Sequence, residues 1–141
     1  MMSEAILHEQ VADYLRLQYP DVMFHSDYGS GIKLTIGQAV KQKRLNGGRR
    51  SWPDIFIARK KIMRDYSWNG MPRGSVYCGL FIELKKEGER LYRKSGEFAT
   101  EHIKDQWGVL NKLKGERYCA EFAVGFGAAK ELIDGYLGED K

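Results

Sequence analysis

The run Leu80-Phe81-Ile82-Glu83-Leu84-Lys85 is strongly apolar until its end, where it carries a carboxylate and an ammonium. Side chains alternate along a strand, so Glu83 and Lys85 leave one face and Leu84 the other. Asp54 opens a second apolar run, Ile55-Phe56-Ile57-Ala58, directly after Pro53. Two carboxylates at the ends of adjacent core strands, beside a lysine, can hold Mg²⁺ or Mn²⁺ next to a phosphate. Such cations take a few carboxylate ligands and keep waters, one of which can serve as nucleophile. The lysine would orient that water and offset charge developing on phosphorus. The E-x-K spacing is short, and it also fits an ordinary Glu–Lys pair at a solvated strand end.

Gln106 is a second oddity. On a helix capped by Thr100 and burying Ile103, Trp107, Leu110 and Leu113, it falls on the apolar stripe. A buried amide without partners costs about 1–3 kcal/mol, and a polar site at the sheet's end would supply them. The alternative is a glutamine at the stripe's margin that reaches solvent.

Other chemistries drop out. His8, His25 and His102 are scattered and have no cysteine pairs to complete a zinc site. Gly29-Ser30-Gly31-Ile32-Lys33 lacks the glycine before lysine, and Leu34 stands where a phosphate loop needs Ser or Thr. No G-x-S-x-G occurs. Cys78 and Cys119 lie in apolar segments without C-x-x-C spacing and read as two buried thiols in a reducing compartment.

Charge is segregated. The net +4 conceals a block, residues 33–64, with ten basic residues against Asp54 alone, while residues 1–32 carry five acids against Arg16. A +9 block inside a folded domain favours a polyanion. Within it, Lys33, Lys41, Lys43, Arg44, Arg49 and Arg50 are candidates for gripping a phosphate backbone. Lys86, Arg90, Arg93 and Lys94 extend the set. Phosphate contacts position a substrate without reading its sequence, so shape recognition is expected.

The elements that must position these groups follow from periodicity and punctuation. Ser3 caps a helix with Leu7, Val11, Tyr14 and Leu15 on one face, ended by Pro20. Val22-Met23-Phe24 reads as a short strand, and Asp27 to Gly31 as a turn. A basic helix follows from Thr35 to Leu45, closed by Asn46-Gly47-Gly48. Next come a strand at 55–58, a long hairpin connection from Arg59 to Val76 and a buried strand at 79–85. The polar segment 88–98 precedes a helix from Thr100 to Lys114, a strand at 118–124 and a last helix at 128–137. This order is a small α/β domain with a mixed sheet covered by helices.

At 141 residues the chain fits one domain, 1–141, able to bury a core without metal or disulfide staples. Its apolar runs are too short to span a bilayer, and the N-terminus lacks a basic segment followed by an apolar one. A cytoplasmic protein with no membrane partner and no nucleotide cofactor is expected.

Taken together, Glu9-Gln10, Trp52-Pro53-Asp54-Ile55-Phe56, Gly79 to Lys85 and the helical Gln106 resemble the VRR-NUC branch of the PD-(D/E)xK nucleases. The resemblance runs from about His8 to Leu137 and includes Phe122-Ala123-Val124-Gly125-Phe126. It implies a restriction-endonuclease-like fold, an αβββαβ core with the basic helix inserted. It also implies a Mg²⁺- or Mn²⁺-dependent endonuclease of phage or bacterial type, acting on branched DNA and Holliday junctions especially. By position, Asp54, Glu83 and the Leu84 carbonyl would be metal ligands and Lys85 the catalytic lysine. Gln106 would be the supporting polar residue and Glu9 the helix-borne acid, although Glu9 lies off its helix's apolar stripe. Trp52 departs from the family, which often has glycine before the proline.

Paired junction cuts need two sites, so a two-fold homodimer is expected. Tyr66, Trp68, Met71, Tyr92 and Phe98 are candidate contacts. The rivals are a non-catalytic nucleic-acid-binding module on the same fold and a flap- or nick-directed nuclease.

Overall fold

A computed structural model describes residues 3–27, 34–48, 51–64 and 69–138. Helix α1 (Glu4–Gln18) begins where Ser3 Oγ accepts from the Ile6 amide at 3.2 Å, satisfying one of the N–H groups a helix start leaves orphaned. Leu7, Val11 and Leu15 are buried on one face. Strand β1 (Phe24–Ser26) starts two residues later than the apolar run suggested. Its extent is set by pairing with the next strand, where Phe24 lies opposite Ile57. Helix α2 (Ile36–Leu45) is started by a reciprocal capping box between Thr35 and Gln38, and none of its residues is buried.

Strands β2 (Ile55–Ile57) and β5 (Leu80–Lys85) form the centre of a four-stranded sheet ordered β1-β2-β5-β6, with β6 spanning Cys119–Val124. The pairs β1/β2 and β2/β5 are antiparallel and β5/β6 is parallel, so helix α3 (Glu101–Gly115) is the crossover that a parallel pair requires. The connection 59–76 holds its own short ladder of β3 (Lys61–Ile62) and β4 (Val76–Tyr77), in place of a plain hairpin link. Met63 and Tyr77 are buried there and anchor it. The polar segment 88–98 forms no helix or strand beyond a single bridge between Tyr92 and Phe98.

Alternation sorts the sheet into two faces. Ile55, Ile57, Leu80, Ile82 and Leu84 join Leu7, Val11, Leu15 and Ile133 in one core beneath α1 and α4 (Gly125–Leu137). Phe81 and Ala120 join Leu110 of α3 on the other face, with Phe56 and Tyr118 against them. Each fully buried Leu or Ile contributes roughly 1.5–3 kcal/mol, and this apolar reserve lets the sheet tolerate polar groups at its end.

Helix α4 starts three residues earlier than the apolar pattern indicated. Gly125, at φ +84°, turns the chain from β6 straight into the helix through a conformation other residues rarely adopt. Asp134 of α4 ties it to α1, accepting from the Tyr14 and Tyr19 hydroxyls at 2.6 and 2.7 Å and from Lys130 Nζ at 2.9 Å. Burial works against its charge, but these donors together hold its carboxyl below the usual value.

Two local expectations are corrected. Cys78 is exposed, because it sits in the link between β4 and β5; Cys119 is buried, and burial pushes its thiol up to about 12. On α3 the buried stripe is Ile103, Gln106, Val109 and Leu110, whereas Trp107 is half-exposed and packs on Phe98 at 5.6 Å. No helix among the described residues is long and apolar enough to cross a membrane.

Candidate active site

The antiparallel register pairs Ile55 with Ile82, so the residue before β2 meets the end of β5. Asp54 accepts the Leu84 amide on its Oδ2 at 2.8 Å. Amide and carbonyl of one strand residue leave on the same side, which turns the Leu84 carbonyl toward that edge as well. The Asp54 backbone is fixed too, its carbonyl accepting the Asp27 amide at 2.8 Å and lying 3.3 Å from His8 Nε2. Glu83 shares the α3 face of the sheet, and its Oε1 accepts from Gln106 Nε2 at 2.6 Å. Gln106 is thus the buried, partnered amide that its place on the stripe suggested.

Asp54, Glu83, Lys85 and Gln106 are all buried, yet all four line one cleft of about 1110 Å³. Lys43 and Arg44 of α2 line it as well, as does the partly exposed Trp52. Burial pushes the Glu83 carboxyl up to about 9; the charge of Asp54 adds to this, and the Lys85 ammonium opposes it. Glu83 Oε2 and Gln106 Oε1 are buried without a hydrogen-bond partner among the described residues. A buried acceptor left unmet is costly, and two hard carboxylates close enough for one to raise the pKa of the other fit a hard divalent cation. No three His, Cys, Asp or Glu side chains form a ligand group by themselves among the described residues, so a backbone carbonyl such as that of Leu84 would have to complete the set.

The remaining expected residues divide. Glu9 is exposed and stays outside the cleft. The acid α1 brings there is Glu4, whose charge helps raise the Glu83 carboxyl. A signal for it existed, since Glu4, Leu7, Val11 and Leu15 form one stripe of which only the first member is polar. Lys41, Lys86 and Arg90 are exposed but do not line the cleft. Lys33, Arg49, Arg50, Tyr66 and Trp68 lie outside the described residues. Glu89 and His102 line the cleft unanticipated; His102 stands four residues before Gln106, hence on its side of α3.

The raised Glu83 carboxyl has a consequence for stability. An unfolded chain releases this proton near the ordinary 4.5, while the folded chain keeps it to about 9. Between those values the unfolded state binds fewer protons, so stability falls as pH rises, by up to roughly 1.4 kcal/mol per pH unit. Melting followed in chelator from pH 5 to 9 is expected to show this decline, and Glu83→Gln to remove most of it. An unchanged slope in the variant would contradict the assignment.

No protein-family model matches the sequence, and no curated protein matches it. Among solved structures, one described as a VRR_NUC domain protein shares the fold, with a TM-score of 0.54 and 24% identity. The match covers 93% of this chain and 88% of that one. The mixed sheet flanked by helices is therefore the restriction-endonuclease-like architecture expected of the sequence.

Proposed function

We propose that this chain is a metal-dependent nuclease of the VRR-NUC family, hydrolysing phosphodiester bonds in branched DNA. The observation that carries the reading is the buried Asp54–Glu83 pair, with its orphaned oxygen, in one cleft with Lys85, Lys43 and Arg44. A module that only bound nucleic acid would gain nothing from carboxylates facing a polyanion, because they repel it until a cation intervenes.

The residues divide the work. Asp54, Glu83 and the Leu84 carbonyl would hold Mg²⁺ or Mn²⁺. Such an ion supplies Lewis-acid charge to a phosphodiester and lowers the pKa of a water. Gln106 fixes the rotamer of Glu83 through its 2.6 Å hydrogen bond, which leaves the second oxygen directed away from the amide. Lys85 presents its ammonium where negative charge grows on phosphorus and donates to the attacking water. Lys43 and Arg44 hold flanking phosphates, and Lys41, Lys86 and Arg90 extend the field at longer range.

Preference for four-way junctions would follow from a two-fold homodimer, whose paired sites match the junction's symmetry. Of the candidate contacts, Tyr92 is exposed, while Met71 and Phe98 pack within the chain.

Labelled linear, splayed, flap and four-way DNA, incubated with Mg²⁺, Mn²⁺ or chelator, tests the reading. Expected is metal-dependent cutting of branched substrates in preference to linear duplex, with a dimer by light scattering on the junction. Binding without cutting under every metal would overturn the nuclease. Cutting by a monomer would leave a flap- or nick-directed enzyme.

A further inference from the structure

Trp52 directly precedes Pro53-Asp54 and is 39% exposed at the rim of the cleft, between buried Ser51 and buried Pro53. Its orientation is held from two sides. The indole N–H donates to the Asn46 carbonyl at 3.0 Å, and the ring lies against Phe81 at a centroid distance of 6.2 Å. The same cleft is lined by Ile36 and Val40 of α2, 87% and 62% exposed and one turn apart, with Lys43 following on the same face. A helix that buries nothing and turns aliphatic side chains into a charged cleft has them poised for an occupant.

The geometry points to a stacking site for an unpaired nucleobase beside the scissile phosphate, formed by Trp52 and the Ile36/Val40 wall of α2. This rests on the cleft being a DNA site and names the substrate more closely: a strand whose nucleotide at the cut is unstacked. A duplex gripped by its phosphates needs only cations, and its stacked bases expose edges rather than faces. One unpaired strand offers both chemistries present here, a phosphate for Lys43 and a flat apolar face for Trp52. Because the indole is already fixed by its hydrogen bond, ordering it on binding costs little.

The test is carried out in chelator, so that binding is read without cleavage. A short duplex is compared with the same duplex ending in a single-stranded arm, by Kd and by tryptophan emission. The armed DNA is expected to bind the wild type roughly five- to 100-fold more tightly, with quenching that Trp52→Phe abolishes although it keeps most of the preference. Trp52→Ala is expected to reduce the preference to about twofold. Val40→Ser, on a helix without buried residues, should weaken it by about threefold and keeps the idea testable if the alanine variant fails to fold. An undiminished preference in Trp52→Ala or, should that variant not fold, in Val40→Ser, or quenching that survives in Trp52→Phe, overturns the stacking site while leaving the nuclease reading intact. A shift in dimerisation instead of base preference gives the α2 face to a second copy and overturns it too. Failure to bind either DNA removes the reading of the cleft itself.

Discussion

Asp54→Asn and Glu83→Gln are each expected to lower cleavage by about 10³-fold or more while DNA binding persists, since removing a preorganised charge at the reacting phosphate costs several kcal/mol in the transition state. Both substitutions spare the fold. The amide at position 54 can still accept the Leu84 N–H, and the one at 83 can still accept from Gln106. What they remove is the negative charge that holds a cation. Binding in chelator should stay equal for Glu83→Gln, whose parent carboxyl already holds its proton without metal, and stay equal or tighten for Asp54→Asn, which removes a charge repelling the phosphates. Metal-induced thermal stabilisation, which follows from binding the folded state alone, should disappear with cleavage. Single-turnover kinetics, Kd in chelator and melting with and without Mn²⁺ measure the three effects. Undiminished cleavage by either folded variant would place the metal elsewhere.

Lys85→Ala is expected to separate chemistry from grip. Its ammonium shares the sheet face of Glu83 and lies buried at the cleft floor, so it meets the reacting phosphate rather than the flanking backbone. Cleavage should fall by about 10²–10³-fold with Kd little changed. Replacing Lys43 and Arg44, which line the same cleft from α2, should do the reverse. Affinity falls, and the slope of log K against log salt flattens by about 0.9 for each phosphate that the variant no longer neutralises. The maximal cleavage rate at saturating DNA should be nearly unchanged. The same balance of effects in both variants would refute the division between chemistry and grip.

Much of this was legible in the residues. Alternation along Leu80 to Lys85 put Glu83 and Lys85 on one face, and the structure leaves them there with Phe81. Helical periodicity put Gln106 on the stripe of α3, where it is buried and bonded to Glu83. Ser3, Thr35 and Thr100 marked three helix starts, and each caps its helix through its side-chain oxygen. These readings held because they are local: strand pleat, helical turn and cap geometry depend on a few neighbouring residues.

What depended on distant residues was decided by packing. The register of β2 on β5, which brings Asp54 to Glu83, depends on the sheet order that the two-faced core stabilises. The rotation of α1 was set by burying Leu7, Val11 and Leu15, and that rotation delivers Glu4 to the cleft and leaves Glu9 in solvent. The same kind of choice on α3 buried Val109 and turned Trp107 outward. Periodicity supplies the face a side chain shares with its neighbours; only the packing of one element on another, chosen by the apolar area it buries, determines what that face meets.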